Sequence, residues 1–309
     1  MWLDETFGLK YPLIQGGMAQ VATAEFAAAV SEAGALGVIG TGAMPAWTVE
    51  EAINRVRELT DRPFGVNIML LNPEADAIAE LVARERVPLV TTGAGSPGKY
   101  IPMWHEAGIR VIPVVASLGL AERMQRIEVD AVIAEGQEAG GHIGEATSMV
   151  LWPLLSSKLD IPVIAAGGLA TGAQLLAAEI LGAQGYQLGT LMLSAEECPI
   201  HENYRKALLE ATDSRITVLG REQGMPSRVL KNRLARQYTA RSRAGADKME
   251  LEEMMLGALR RAVKDGDVEN GAVMLGQVAA QIDCIRPLAE LLARLFEEKE
   301  ACRVALCKG

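Results

Sequence analysis

A histidine framed by glycines is the residue of this sequence best suited to do chemistry. His142 lies in EGQEAGGHIGEATS, residues 135–148, with Gly140, Gly141 and Gly144 around it. This glycine content excludes a helix interior and predicts a flexible loop. An imidazole can act as a general acid or base, or can donate a hydrogen bond to a developing oxyanion. The alternative is a surface histidine without a role, and we favour the chemical role because long loops commonly carry function.

Two glycine-rich segments form a candidate site for a phosphate dianion. AAGGLATG, residues 165–172, and QLGT, residues 187–190, each include or follow a short apolar run. Backbone N–H groups of two adjacent glycine-rich turns, together with a helix N-terminus, can surround an anion. Either segment alone is a weak signal, whereas the pair on consecutive strands is a stronger one. The expected contacts are Gly167, Gly168, Gly189 and Thr190.

Further residues could complete a ring around a flat heterocycle. The glycines of QGGM, residues 15–18, would let such a ring lie against the backbone. Asn67 lies within an apolar run, where a buried amide needs hydrogen-bond partners. Glu135 ends another apolar run, and it is either a ligand group or one half of a buried salt bridge.

The candidate site residues lie in or after eight short apolar runs, and a helical pattern follows each run. Successive runs begin 20 to 32 residues apart, and nearly all end in small residues. Repeated βα steps whose strands are too apolar to face water predict a closed parallel TIM (β/α)8 barrel rather than an open doubly wound sheet. Ligands of such barrels bind at the carboxyl ends of the strands, where these glycines lie. The predicted strands cover residues 11–18, 36–42, 64–70, 88–95, 110–117, 130–136, 162–168 and 185–190.

Threonines mark the starts of three predicted helices. Helices are expected over residues 23–33, 48–59 and 171–181, each beginning with a threonine that can cap the first turn. In the second of them Glu51 follows Thr48 by three residues, which is the pattern of a capping box.

The regular alternation stops after about two thirds of the chain. Helices are expected near residues 247–265, 270–282 and 285–300, as a smaller helical layer over the barrel mouth. We therefore divide the chain into an α/β barrel, residues 1–210, and a C-terminal helical cap or substrate subdomain, residues 211–309, which packs back on the barrel.

The composition excludes several classes of protein. Half of the 309 residues are hydrophobic and only 4% are aromatic, which suits aliphatic parallel strands covered by helices. The net charge of −9 argues against binding of nucleic acid, and the absence of a long apolar stretch argues against a membrane span. A cytoplasmic protein with reduced thiols and no metal site is expected from the cysteine spacing. The cysteines are Cys198, Cys284, Cys302 and Cys307.

Together these motifs resemble the nitronate monooxygenase (2-nitropropane dioxygenase) family and, within it, the FMN-dependent enoyl-[acyl-carrier-protein] reductases of bacterial type II fatty-acid synthesis. The resemblance extends from residue 11 to about residue 280. It implies that NADH or NADPH reduces FMN and that hydride then passes to the β-carbon of a trans-2-enoyl thioester. The alternative is a nitronate monooxygenase, which shares the barrel, FMN and the histidine but uses oxygen. The motifs are YPLIQGGMA, FGVNIMLLNP, VTTGAGSPGKY, GIRVIPVVAS, DAVIAEGQEAGGHIG, PVIAAGGLATG, QLGT and GAVMLGQ.

The resemblance also implies roles for single residues. His142 matches the catalytic histidine, and its presence argues against a flavin-binding barrel that has lost catalysis. Met274 and Gln277 match a C-terminal element that closes over the flavin. The remaining positions implied to line FMN are Gly17, Met18, Asn67, Glu135, Gly140, Gly141, Ala166, Gly167, Gly168, Gln187, Gly189 and Thr190.

A basic stretch acquires a candidate partner from the same resemblance. Residues 215–243 carry eight basic side chains and a single acid, Glu222. Acyl carrier proteins are acidic, so the section from Arg228 to Arg236 could dock the carrier that presents the substrate, or could receive cofactor phosphates. The alternative is a solvated helix face. The resemblance further implies a homodimer.

Overall fold

Eight parallel strands form the barrel that the sequence predicts. The computed structural model describes residues 1–308, and each of the eight predicted runs contains one barrel strand. The barrel strands are β1 (Leu13–Gln15), β2 (Gly37–Gly40), β3 (Phe64–Met69), β4 (Leu89–Gly93), β5 (Arg110–Val115), β6 (Val132–Glu135), β8 (Val163–Ala166) and β9 (Tyr186–Leu188), and the short strand β7 (Gly141–His142) belongs to a second sheet. The barrel order is β1-β9-β8-β6-β5-β4-β3-β2, so the predicted fold class is confirmed.

Backbone hydrogen bonds between the first two strand regions close the barrel. The N–H of Gln15 donates to the carbonyl of Leu36, and the N–H of Leu36 donates to the carbonyl of Leu13. One end of the interior is covered by Leu3 of the first helix, α1 (Trp2–Phe7), whose side chain is fully buried. The interior is a packed core and not a channel, as expected for this barrel type. It contains the fully buried side chains of Ile14, Val38, Leu89, Ile112, Ile133 and Ile164.

The outer helices begin at caps that are partly readable in the sequence. The helices are α2 (Ala24–Glu32), α3 (Ala46–Leu59), α4 (Ala75–Arg84), α5 (Ile101–Glu106), α6 (Leu118–Arg126), α7 (Ser148–Ser156), α8 (Gly172–Ile180) and α9 (Glu202–Leu209). Thr23 caps α2, and Thr171 forms a reciprocal capping box with Gln174 at the start of α8. The capping box predicted at Thr48 is wrong, because α3 begins two residues earlier and the Ala46 N–H donates to the Glu74 carboxylate at 2.8 Å instead.

The C-terminal region contains a β-ribbon in addition to helices. Strands β10 (Ile216–Leu219) and β11 (Ser227–Leu230) pair antiparallel, and β11 also pairs with β7. The helices are α10 (Arg233–Arg243), α11 (Lys248–Met255), α12 (Ala258–Val263) and α13 (Leu288–Lys308), with 3₁₀ turns at Thr190–Ser194, Asp213–Arg215 and Gln277–Gln281. The sequence patterns did not predict the ribbon.

One predicted helix is replaced by irregular chain. Residues 270–282 contain only the 3₁₀ turn, because the backbone before it bonds to distant segments rather than to its own preceding turn. The Ala272 N–H donates to the Ala258 carbonyl, and the Val273 carbonyl accepts from the Leu230 N–H. The helix expected over 247–265 is divided into α11 and α12 around Gly257, which has a left-handed φ of 69°.

The last helix fastens the C-terminal region to the outer wall of the barrel. α13 packs along α8, where the Glu298 carboxylate accepts from the Gly172 N–H at 3.0 Å. The buried ammonium of Lys299 lies 2.6 Å from the Glu179 carboxylate, which also pairs with Arg303. Losing Glu179 would leave a buried charge without its partner, so this contact resists separation of the helices.

Within residues 1–308 no helix combines the length and the apolar character needed to cross a membrane. The same residues contain no group of three or more His, Cys, Asp and Glu side chains placed to hold a metal ion.

Candidate active site at the barrel mouth

The carboxyl ends of the strands bring predicted residues of the first, third and last barrel strands together. Gly17 lies so close to Asn67 that a Cβ on Gly17 would be 2.3 Å from the Asn67 Cβ. The Asn67 amide donates to the Thr91 hydroxyl at 2.9 Å, which leaves its carbonyl oxygen for other partners. A Cβ on Gly189 would meet only the Met18 sulfur, at 3.8 Å, so open space adjoins this glycine. The mouth therefore offers an amide and a flat glycine surface to a ligand.

The two glycine-rich turns present free backbone donors, as the phosphate prediction requires. Gly167 and Gly168 have successive positive φ values of 83° and 80°, a conformation that favours glycine. Within residues 1–308 the N–H groups of Gly167, Gly168 and Gly189 find no backbone acceptor. Buried or half-buried N–H groups normally have partners, so these donors are suited to bind an anion.

Glu135 lies at the carboxyl end of β6 without a counter-ion. It pairs in register with Ala166 of β8, which in turn lies beside Gln187 of β9, so the three residues form a row at the rim. Glu135 makes no ion pair within residues 1–308, and the salt-bridge alternative is therefore wrong. Burial raises the pKa of Glu135 to about 7. An uncompensated carboxyl of this kind marks a candidate binding site.

The raised pKa of Glu135 predicts a pH effect on stability. The folded protein holds this proton more tightly than the unfolded chain, whose carboxyl titrates near 4.5. The contribution of Glu135 is therefore fully present below about pH 4.5 and is lost as the pH rises to about 7. Glu135→Gln should flatten the fall in unfolding free energy across this range by up to roughly 3 kcal/mol, measured by chemical denaturation without added cofactor. The exposed Glu51→Gln variant of α3 is the control, and parallel curves for both variants would contradict the prediction.

The C-terminal segment predicted to close over the site does reach the mouth. The Gly276 N–H donates to the Thr190 hydroxyl at 2.9 Å, and the Gln277 N–H donates to the Glu138 carbonyl at 2.9 Å. A Cβ on Gly140 would lie 2.7 Å from the Gly276 nitrogen, so glycine is required for this close approach. The segment thus joins the loops that follow β6 and β9, with Met274 and Gln277 at its two ends.

His142 is held more firmly than its glycine frame suggests. It lies on β7 and pairs with Ser227 of β11, whereas Arg228 pairs with Gly141. The backbone at His142 is therefore a short strand where the glycines predict a loop, because Gly141 and His142 pair with β11. The His142 side chain is exposed toward a cavity that Met274 also lines.

Arg228 has a structural role that its charge did not indicate. Its side chain is buried, and the guanidinium donates to the carbonyls of Ala139 and Gln137 at 3.1 and 2.7 Å. Arg228 therefore clamps the loop before His142, and the prediction that it docks a carrier or binds cofactor phosphate is wrong. Arg233 and Arg236 are exposed and remain candidates.

Sequence reasoning missed Ser227 and Glu138. The Glu138 carboxylate accepts from the N–H and hydroxyl of Ser148 at the start of α7, which anchors the glycine loop. No local pattern of the sequence distinguished either residue.

Comparison with known proteins places this barrel in a family. A family model described as nitronate monooxygenase matches residues 2–80 and 76–298. The chain belongs to the nitronate monooxygenase family. The resemblance drawn from the motifs is thereby confirmed, and the family match includes the His142 loop, both glycine-rich turns and the C-terminal segment.

Proteins similar to this chain carry different names. The structure of FabK from Thermotoga maritima is 43% identical, covers 99% of this chain and 98% of its own, and superposes with a TM-score of 0.96. A nitronate monooxygenase of Paraburkholderia phytofirmans is 33% identical over 94% of this chain and 93% of its own length. A (3aS,4S,5R,7aS)-5-hydroxy-7a-methyl-1-oxo-octahydro-1H-indene-4-carboxyl-CoA dehydrogenase of Rhodococcus jostii is 34% identical, and the match spans 75% of this chain and 66% of that protein.

Proposed function

We propose that this chain is an FMN-dependent enoyl-[acyl-carrier-protein] reductase that uses NADH or NADPH. The observation that carries the proposal is the 43% identity to FabK, an enoyl-[acyl-carrier-protein] reductase II, across 99% of the chain. The similarity extends through the barrel mouth and through the C-terminal segment, so it includes the residues that would contact cofactor and substrate.

The mouth fits FMN. The free N–H groups of Gly167, Gly168 and Gly189 would hold its phosphate, and the open space beside Gly189 and Met18 would receive part of the cofactor. Asn67 would accept or donate hydrogen bonds at the ring edge. Bound FMN would supply the hydride chemistry of the reaction, with NADH or NADPH as the donor. The other FMN contacts proposed from the sequence are Gly17, Glu135, Gly140, Gly141, Ala166, Gln187, Thr190, Met274 and Gln277.

His142 would act on the thioester and not on the cofactor. An enoyl thioester is electrophilic at its β-carbon only when charge at the carbonyl oxygen is stabilised, and a proton must reach the α-carbon to complete the reduction. The exposed imidazole can donate a hydrogen bond to that oxygen or supply that proton. Its rigid support on β7 holds the group in place for either role.

The C-terminal region would serve the substrate and its carrier. We infer that residues 1–210 form the FMN-binding barrel and that residues 211–309 form the substrate subdomain. The exposed cations of α10, Arg233 and Arg236, are the proposed contact for an acidic acyl carrier protein. A homodimer is proposed on the resemblance alone.

Anaerobic flavin reduction tests the function. NADH or NADPH added without oxygen should bleach the flavin of the purified protein, and a crotonyl thioester should then restore its colour with formation of the saturated thioester. The second candidate is a nitronate monooxygenase, which the 33% identity to the Paraburkholderia phytofirmans enzyme favours. Rapid oxygen-dependent turnover of a nitronate without a nicotinamide donor, together with no reoxidation by the thioester, would replace the proposed function by the second one.

A further inference from the structure

A mostly apolar cavity adjoins His142. It lies between the ribbon β10–β11 and the helices α10, α11 and α12, and it has a volume of about 260 Å³. Its walls include Leu219, Tyr238, Leu251, Met255 and Leu259. The volume is close to the lower range of small-molecule sites, about 300 Å³.

Three of the six polar side chains that line this cavity have partners, namely those of Lys248, Glu252 and Gln223. The Lys248 ammonium lies 3.6 Å from the Glu252 carboxylate, so these two charges balance each other. The Gln223 amide donates to the Ser242 hydroxyl at 3.2 Å. The Ser227 hydroxyl is different, because it is buried and has no hydrogen-bond partner within residues 1–308.

Ser227 and His142 stand side by side on neighbouring strands. They are directly opposite each other in the antiparallel pairing of β11 with β7, and both line the cavity. Residues opposite each other in such a pair direct their side chains to the same side of the sheet, with Cβ atoms about 5 Å apart. The residues that carry the imidazole and the hydroxyl therefore lie together at one side of the cavity.

An unpaired buried hydroxyl is unfavourable in the free protein. Valine or alanine at the Ser227 position would suit a buried strand better and would leave no hydrogen bond unmade. A buried hydroxyl without a partner, on a residue that lines an apolar cavity beside an exposed imidazole, is explained by a ligand with an apolar body and one polar oxygen.

We propose that this cavity receives the acyl chain of the substrate and that Ser227 donates a hydrogen bond to the thioester carbonyl oxygen beside His142. This inference rests on the function proposed above. When hydride adds to the β-carbon, the electron pair of the C=C bond moves toward the carbonyl oxygen, and it returns when the α-carbon takes a proton. A second donor at that oxygen stabilises the charge during the reaction.

Substitution of Ser227 tests whether its hydroxyl donates a hydrogen bond to the thioester carbonyl oxygen. Ser227→Ala should leave reduction of the flavin by the nicotinamide donor unchanged and slow its reoxidation by crotonyl thioester about 10- to 100-fold. Ser227→Thr, which keeps the hydroxyl, should restore most of the rate. The thermal midpoint of Ser227→Ala should not fall, because no hydrogen bond of the free protein is lost. The matched control is Ser156→Ala on α7, since the Ser156 hydroxyl is also buried without a partner but does not line the cavity.

A larger side chain in the cavity tests whether the acyl chain of the substrate binds there. Met255→Trp should weaken binding of a saturated decanoyl thioester, measured by calorimetry, and should reduce turnover of decenoyl thioester more than that of crotonyl thioester. Met249→Trp is the control, because Met249 is exposed on the same helix. Equal effects of Met255→Trp on both chain lengths would overturn the assignment of the cavity.

The outcomes separate this inference from the proposed function. A parent protein that crotonyl thioester cannot reoxidise would overturn the proposed function and this inference with it. If crotonyl thioester reoxidises the flavin of Ser227→Ala as fast as that of the parent protein, this inference alone would be overturned. Equal slowing of both steps in Ser227→Ala would also overturn it, because the role of Ser227 would then be structural.

Discussion

Replacing His142 with alanine is expected to slow enoyl thioester reduction by about 10²- to 10⁴-fold while FMN stays bound. The side chain lines the cavity that also contains Ser227, and its loss removes a donor or proton source from the carbonyl end of the substrate. FMN retention is expected because the proposed phosphate donors belong to the loops after β8 and β9, which do not include β7.

Stopped-flow reoxidation by crotonyl thioester measures this effect, with flavin content determined from the absorbance spectrum of the same sample. His105→Ala is the matched control, because His105 lies on α5 and pairs with Asp130 at 3.2 Å on the outer wall. Turnover of His142→Ala at the parent level would remove His142 from the mechanism. Loss of FMN from His142→Ala would instead show that the imidazole supports the cofactor site.

Replacing Gly189 with valine is expected to lower the affinity for FMN by about 100-fold with little effect on the fold. Gly189 has an ordinary φ of −113°, and a Cβ there would meet only Met18, at 3.8 Å. The φ value and the position of the added Cβ therefore require no change in the flavin-free chain. The branched side chain of valine would occupy the open space in which we place FMN.

Fluorescence titration of the flavin-free protein with FMN measures the change, and chemical denaturation without FMN measures the fold. Gly119→Val is the control, because Gly119 is an exposed position of α6 with open space around its Cβ. Parent-like FMN affinity of Gly189→Val would place the cofactor elsewhere. A large loss of stability without FMN would contradict the steric argument itself.

Local patterns were reliable where one segment alone decides the outcome. The barrel strands are buried on both sides, so their apolar runs had to be nearly continuous, and all eight were predicted. The capping box of Thr171 and Gln174 lies within four residues and was readable as a helix start. The start of α3 was not readable in the same way, because the N–H of its first residue, Ala46, donates a hydrogen bond to Glu74, which lies 28 residues further along the chain.

The sequence by itself determined the barrel, the glycine-rich ends of its strands and the candidate role of His142, because each depends on residue types within short stretches. Only the tertiary structure decided that β11 supports His142, that Arg228 is a buried clamp, and that Ser227 lies beside the imidazole. These relations join segments that are more than 80 residues apart. Pairing between such distant strands depends on how the whole chain packs, and a basic or polar residue looks the same in sequence whether its side chain meets water or a backbone carbonyl.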